Sequence, residues 1–275
     1  MPMIREPATL PLIVLAGLGA GWLLVRLYNH LPESWLQDYG FRAADPDWTP
    51  ARRIRSKIGT AGVMLLTAAG FMVAALSGGL TLRTLLMALV FCVLVLVAIP
   101  DALNKIIPDQ AVIALALLGA MGAALDLFEG RGIRDTAVDR IGGAVVAAGT
   151  LFLVGFIASL LTKREAMGMG DVKLLFACGL LTGLRLVPLL FFATFVSAAF
   201  LAVPMLIRQR KRDASDSVTE AQDVPDPAEQ GEDQTSPAEP DESGQAPLGP
   251  FIAAACFLCL VAGNAVTDLL FQGLL

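Results

Sequence analysis

The chain has 275 residues, of which 56% are hydrophobic and 16% charged, with a formal net charge of −5. A soluble domain of this length has no interior large enough to hide that much apolar surface, because the buried fraction grows only slowly with size. A lipid bilayer is the remaining place for it, and the apolar residues come in runs of suitable length for helical spans.

Spans are expected, in chain order, near residues 9–28, 58–80, 84–100, 111–127, 141–162, 172–184, 186–207 and 249–273. The expected fold class is therefore an all-α integral membrane protein of about eight transmembrane helices. The first run is long, lacks a small-x-small cleavage site and leads straight into Arg26, so it reads as a retained span rather than a signal peptide. With eight spans, fourteen of the twenty Lys and Arg residues fall on one side of the membrane and six on the other. The positive-inside rule makes the richer side cytoplasmic and places both termini outside.

The chain divides into four expected regions. Residues 1–83 hold the first spans and a short cytoplasmic loop, 29–57. In that loop Trp35, Tyr39, Phe41 and Trp48 lie among charges, the composition of an interfacial segment. Residues 84–207 form a core, 208–248 an acidic insertion, and 249–275 a last span. The insertion carries eleven acidic residues between Asp213 and Gly249 with no Lys or Arg, and has few large apolar side chains. Such a segment cannot bury enough surface to offset its ordering entropy and is expected to be disordered. Subtracting its eleven negative charges turns −5 into +6, so the membrane body is basic and the acidic balance says nothing about substrate.

The four cysteines, Cys92, Cys178, Cys256 and Cys259, all fall in expected spans, where a thiol packs as a small apolar group. Cys256 and Cys259 form a C-x-x-C, yet a structural zinc site needs four ligands and no second pair exists.

Ionisable residues at or within spans default to a functional hypothesis. Asp101 follows "LMALVFCVLVLVAIP", and Pro100 sets the expected end of the third helix. Asp171 sits in "GMGDVKL" at the start of the sixth span, on the same side of the membrane, with Asp109 on that side too. Two carboxylates at one site can share a proton, one serving as base and one as acid, and so activate water without a metal. Asp171 is expected as the base, favoured by a helix N-terminus and Lys173, and Asp101 as the acid. Gly168 and Gly170 are expected to supply backbone freedom and close approach. The competing reading is a loop with an N-cap aspartate.

These segments resemble the type IV prepilin peptidases, membrane aspartic proteases of the GxGD class. Asp101, Ile107, Pro108 and Asp109 in "DALNKIIPD" match the family's first motif, and Gly168, Gly170, Asp171 and Lys173 match Gly-x-Gly-Asp-x-Lys. "PLGPFIAAA" (247–255) resembles the opening of the family's last span. The resemblance implies catalysis by Asp101 and Asp171, supported by Gly168, Gly170, Lys173, Pro108 and Asp109. The substrate it implies is a prepilin or pseudopilin whose basic leader is cut at the cytoplasmic face of a bacterial inner membrane, for a type IV pilus or a secretion system. Larger members hold zinc through two Cys-x-x-C pairs and methylate the new N-terminus with S-adenosylmethionine. Residues 29–57 contain no cysteine, so neither metal nor cofactor is expected unless methyl transfer is retained. No nucleic-acid partner is expected. The alternatives are a bifunctional peptidase and N-methyltransferase, a presenilin-like protease, for which the Tyr-Asp and Pro-Ala-Leu motifs are absent, and a non-enzymatic carrier or scaffold.

Overall fold

In the computed structural model, residues 9–37, 50–162, 168–200 and 247–272 are described, with the side chains of Asn264 and of residues 267–272 left aside. Eight α-helices lie among them: α1 (Thr9–His30), α2 (Lys57–Gly78), α3 (Leu82–Asn104), α4 (Asp109–Phe128), α5 (Ile133–Thr162), α6 (Met169–Thr182), α7 (187–200) and α8 (Gly249–Gln272). Each expected span coincides with one of these helices. The acidic insertion and the aromatic residues Tyr39, Phe41 and Trp48 lie outside the described residues.

Helices α1 to α5 are long and apolar enough to cross a membrane. Helix α6 has 14 residues, about 21 Å at 1.5 Å per residue, short of a hydrocarbon core of about 30 Å. The chain then turns through 117° at Gly183 into α7. A turn beyond a right angle takes the chain back towards the face it came from, which preserves the alternation of helix directions. The chain is thus a multi-pass membrane protein whose regular elements, among the described residues, are all helical. Leucines 12, 15, 65, 117 and 160, each more than 60% exposed, show that its outer surface suits lipid.

The third helix does not stop at Pro100. Proline removes one donor and disfavours a helical residue before it, yet α3 runs on to Asn104 and ends where Lys105 adopts φ 57° and donates its N–H to the Asp101 carbonyl. In a membrane helix the carbonyl freed by an internal proline is tolerated when neighbours pack closely. Asp101 consequently sits inside the last turn rather than beyond the end. Helix α5 likewise begins earlier than hydropathy suggests, because the charged stretch from Ile133 to Arg140 forms two helical turns ahead of the apolar run.

The core is built around α6, with Leu174, Leu175, Ala177 and Cys178 fully buried against α3, α4, α5 and α8. α5 and α6 touch backbone to backbone: a Cβ at Gly179 would lie 2.4 Å from the Gly143 carbonyl oxygen. Small residues at such crossings allow the close packing that drives helix association in lipid. Cys178, Cys256 and Cys259 belong to this packed interior and are free thiols, as expected of packing residues.

Two polar layers cap the bundle. On the first face, the segment before α2 is stitched to the end of α1. Arg53 donates to the Tyr28 carbonyl at 2.8 Å and the Leu31 carbonyl at 2.9 Å, and Asn29 exchanges two bonds with Ile54. These interactions satisfy carbonyls that a helix C-terminus leaves open. On the opposite face, Asp126 is 4% exposed and receives Arg83 at 2.8 Å and Arg140 at 2.6 Å. Arg140 also donates to the Leu181 carbonyl, and Asp139 accepts from the Leu184 N–H at 3.0 Å. Together these contacts tie α3, α4 and α5 to the α6–α7 turn.

Candidate active site

The first face gathers the C-terminal turn of α3 and the N-terminal turns of α4, α6 and α8. Asp101 is buried, at 5% exposure. Its Oδ2 accepts a 2.8 Å hydrogen bond from the main-chain N–H of Gly249. Asp171 is half-buried in the first turn of α6, close enough to Asp101 for the two carboxyl groups to interact electrostatically. The two aspartates singled out by sequence therefore share one site, reached from helices separated by two intervening spans.

The other expected site residues surround the pair. Pro108 is buried and precedes α4, whose first residue is Asp109. Lys173 Nζ lies 3.0 Å from both Asp109 carboxylate oxygens. Lys173 therefore pairs with Asp109, a helix-to-helix latch between α6 and α4. The pair is partly exposed, with side-chain exposures of 45% and 30%.

Neither Gly168 nor Gly170 uses a backbone conformation closed to other residues, and of the two only Gly170 sits at a tight approach. Gly168 is the N-cap of α6 with φ −73° and ψ 131°, an extended conformation open to any residue. Gly170 is helical, and a Cβ there would meet Ile107 Cβ at 3.3 Å. The small residue thus lets α6 close on the Ile107–Pro108 corner, which sets the distance between the Asp171 helix and the Asp101 helix.

Sequence reasoning did not single out Gly249, Asn104 or Tyr28. Asn104, one turn beyond Asp101, accepts the Arg52 N–H at 2.7 Å and donates to the Tyr28 hydroxyl at 2.9 Å. Tyr28 donates in turn to the Arg52 carbonyl at 2.5 Å. The N-terminal hairpin thereby clamps the end of the helix that carries Asp101. Only the quoted stretch "PLGPFIAAA" contained a signal for Gly249, and nothing in the sequence pairs Asn104 with Tyr28.

Among the described residues no group of three or more His, Cys, Asp or Glu side chains is placed to hold a metal ion. The cysteines lie on α3, α6 and α8, with three of the four sealed in the apolar interior.

The described residues thus form a helical membrane bundle that brings two carboxyl groups together at one end. Residues 87–203 match the type IV leader peptidase family. Curated relatives agree. The chain is 31% identical over 122 residues to a prepilin leader peptidase/N-methyltransferase of Xanthomonas campestris pv. campestris, covering 44% of this chain and 40% of that protein. Proteins of the same name from Stutzerimonas stutzeri and Pseudomonas aeruginosa are 27% and 28% identical over 167 residues, covering 61% of this chain and 46% of each. The chain thus spans less than half the length of these relatives. No solved structure matches it significantly.

Proposed function

We propose that this protein is an aspartic endopeptidase of the bacterial inner membrane that removes the leader peptide of type IV prepilins or pseudopilins at the cytoplasmic face. The observation that carries the reading is the meeting of Asp101 and Asp171 at one end of the bundle. The family match covers both residues, and the names of the curated relatives supply the substrate class.

The chemistry follows from two carboxyl groups sharing one proton. The ionised one takes a proton from water as the water oxygen attacks the scissile carbonyl carbon. The protonated one supplies the carbonyl oxygen with a proton, so no free oxyanion forms. The neutral diol then collapses with proton transfer to the leaving amine. The polar end of the bundle suits a substrate whose basic leader stays in the cytoplasm while its hydrophobic helix remains in lipid. A coupled carrier would instead place its charges near mid-bilayer.

The same reading takes cleavage without methyl transfer. It is supported by residues 29–57, which are short and free of cysteine. A cofactor site takes a shaped pocket with placed polar groups, and a segment of that size has little from which to build one.

The test is a cleavage assay in membranes on a prepilin with a basic leader. Parent protein is expected to release the leader, and Asp101→Asn and Asp171→Asn to release none while remaining inserted. Turnover at the parent rate by either variant would remove that aspartate from the mechanism. Mass spectrometry of the mature N-terminus is expected to show no added methyl group; a methyl group added by this protein alone would establish the bifunctional alternative.

A further inference from the structure

The geometry around Asp101 separates the two carboxyl groups. Gly249 is the first residue of α8, and its N–H is one of those a helix start leaves without an intrahelical acceptor. That N–H is spent on Asp101 Oδ2 at 2.8 Å, in a bond that is itself buried. No side chain fits at this position. A Cβ on Gly249 would lie 2.7 Å from Asp101 Oδ2, 2.9 Å from Cγ and 3.1 Å from Cβ. The glycine is not demanded by its own backbone, since it is not among the positive-φ glycines. What demands it is the carboxylate pressed against it.

Asp171 has no equivalent. It lies in the first turn of α6, whose dipole favours an anion, whereas Asp101 meets the start of α8 but stands in the last turn of α3, so the two dipole ends beside it oppose each other. Among the described residues, however, no donor reaches the Asp171 carboxyl group, and Lys173 in the next turn is turned to Asp109. A hydrogen bond from an amide to an ionised carboxylate is roughly twice as strong as one between neutral groups, so the direct bond decides which member of the pair carries the negative charge.

We propose that Gly249 is a positioning residue for the cleavage chemistry: its amide holds Asp101 as the carboxylate that accepts the proton from water, which leaves Asp171 as the proton donor. This inference rests on the peptidase reading and reverses the roles expected from sequence. In the first step a water O–H bond breaks, its proton goes to Asp101, and the water oxygen bonds to the scissile carbon while the Asp171 proton passes to the carbonyl oxygen. In the second step the C–N bond breaks, the nitrogen takes the proton from Asp101, and one diol hydroxyl returns its proton to Asp171. Both carboxyl groups end as they began. Gly249 lies outside the 87–203 family match, so the last helix is a component of the site and not only of its scaffold.

The experiment uses the full chain in membranes and has two readouts. Infrared difference spectra between the parent and Asp101→Asn at working pH are expected to show loss of an ionised carboxylate band. The spectra for Asp171→Asn are expected to show loss of a protonated carboxyl band. In the kinetic readout, Gly249→Ala is expected to lower kcat roughly 100-fold with little change in KM, the size of one misplaced acid–base group. Gly263→Ala is the control on the same helix, since its Cβ would meet only the flexible end of Leu186 at 2.7 Å; its kcat is expected to stay near the parent's. Loss of a protonated band in Asp101→Asn overturns the assignment, as does a Gly249→Ala kcat near the parent's. The spectra need no substrate, so they stand if Gly249→Ala fails to fold. A parent that cleaves nothing while its bands behave as expected would sink the peptidase reading and leave the proton assignment intact.

Discussion

The bundle buries an aspartate at each end, and the two are treated in opposite ways. Asp126, on the face away from the carboxyl pair, is wrapped by the guanidinium groups of Arg83 and Arg140, with Arg131 at 3.5 Å. Asp101 is as deeply buried, yet its carboxyl group accepts from the Gly249 amide rather than from any guanidinium, and it interacts with another acid, Asp171. Breaking a buried charge pair is costly because the remaining charge is left without water or partner. Full pairing therefore makes Asp126 a clamp with no reactivity to offer. Incomplete pairing leaves Asp101 able to exchange a proton. The rule that a charge within a membrane protein marks function holds only until its partners are counted.

The sharpest way to break this comparison is to remove each charge without changing its shape. Asp101→Asn and Asp171→Asn are each expected to lower cleavage by roughly 10³-fold or more, since each removes half of one acid–base unit. Their midpoints of thermal unfolding in detergent are expected to stay at or above the parent value. Asp126→Asn is expected to do the reverse. It should cost about 3–5 kcal/mol by leaving Arg83 and Arg140 uncompensated, seen as a lower unfolding midpoint, while kcat per folded molecule stays near the parent's. A catalytic defect in Asp126→Asn without loss of stability would erase the distinction between the two ends.

Smaller effects sharpen the boundary of the site. Lys173→Gln and Asp109→Asn each break a partly exposed ion pair, worth at most about 1 kcal/mol, so kcat/KM is expected to fall by less than about fivefold. A loss as large as that of the aspartate pair would place Lys173 in the chemistry itself. Smallest of all is deletion of 214–244. Long surface loops carry small closure costs, so kcat/KM at physiological ionic strength is expected to stay within about twofold of the parent value. Were the eleven carboxylates to attract the basic leader, the deletion would raise KM at low salt and the effect would fade as salt screens it.

The positions of all eight helices were legible in the sequence because lipid imposes a length and a polarity on each span. Local rules were weaker at the ends. Pro100 looked like a stop, but packing around α3 carried the helix to Asn104. The first turns of α5 were hidden because Ile133–Arg140 carries charges, which hydropathy counts against a helix. The 14-residue α6 and its 117° turn were foreshadowed only by the short run before Gly183.

For the site, the sequence by itself determined which acids stand at one end of the bundle, since span order and the sidedness of Lys and Arg fix that much without any packing. It also determined that small residues stand beside Asp171. What only the tertiary structure decided is what each group touches. Lys173 reaches Asp109, and Gly170 closes on Ile107. Asn104 is held by Tyr28 and Arg52, and the Gly249 amide meets Asp101 from 148 residues away. The physical reason is that polarity and length act along the chain, residue by residue, whereas a hydrogen bond or a steric contact is settled within a few tenths of an ångström by how whole helices pack.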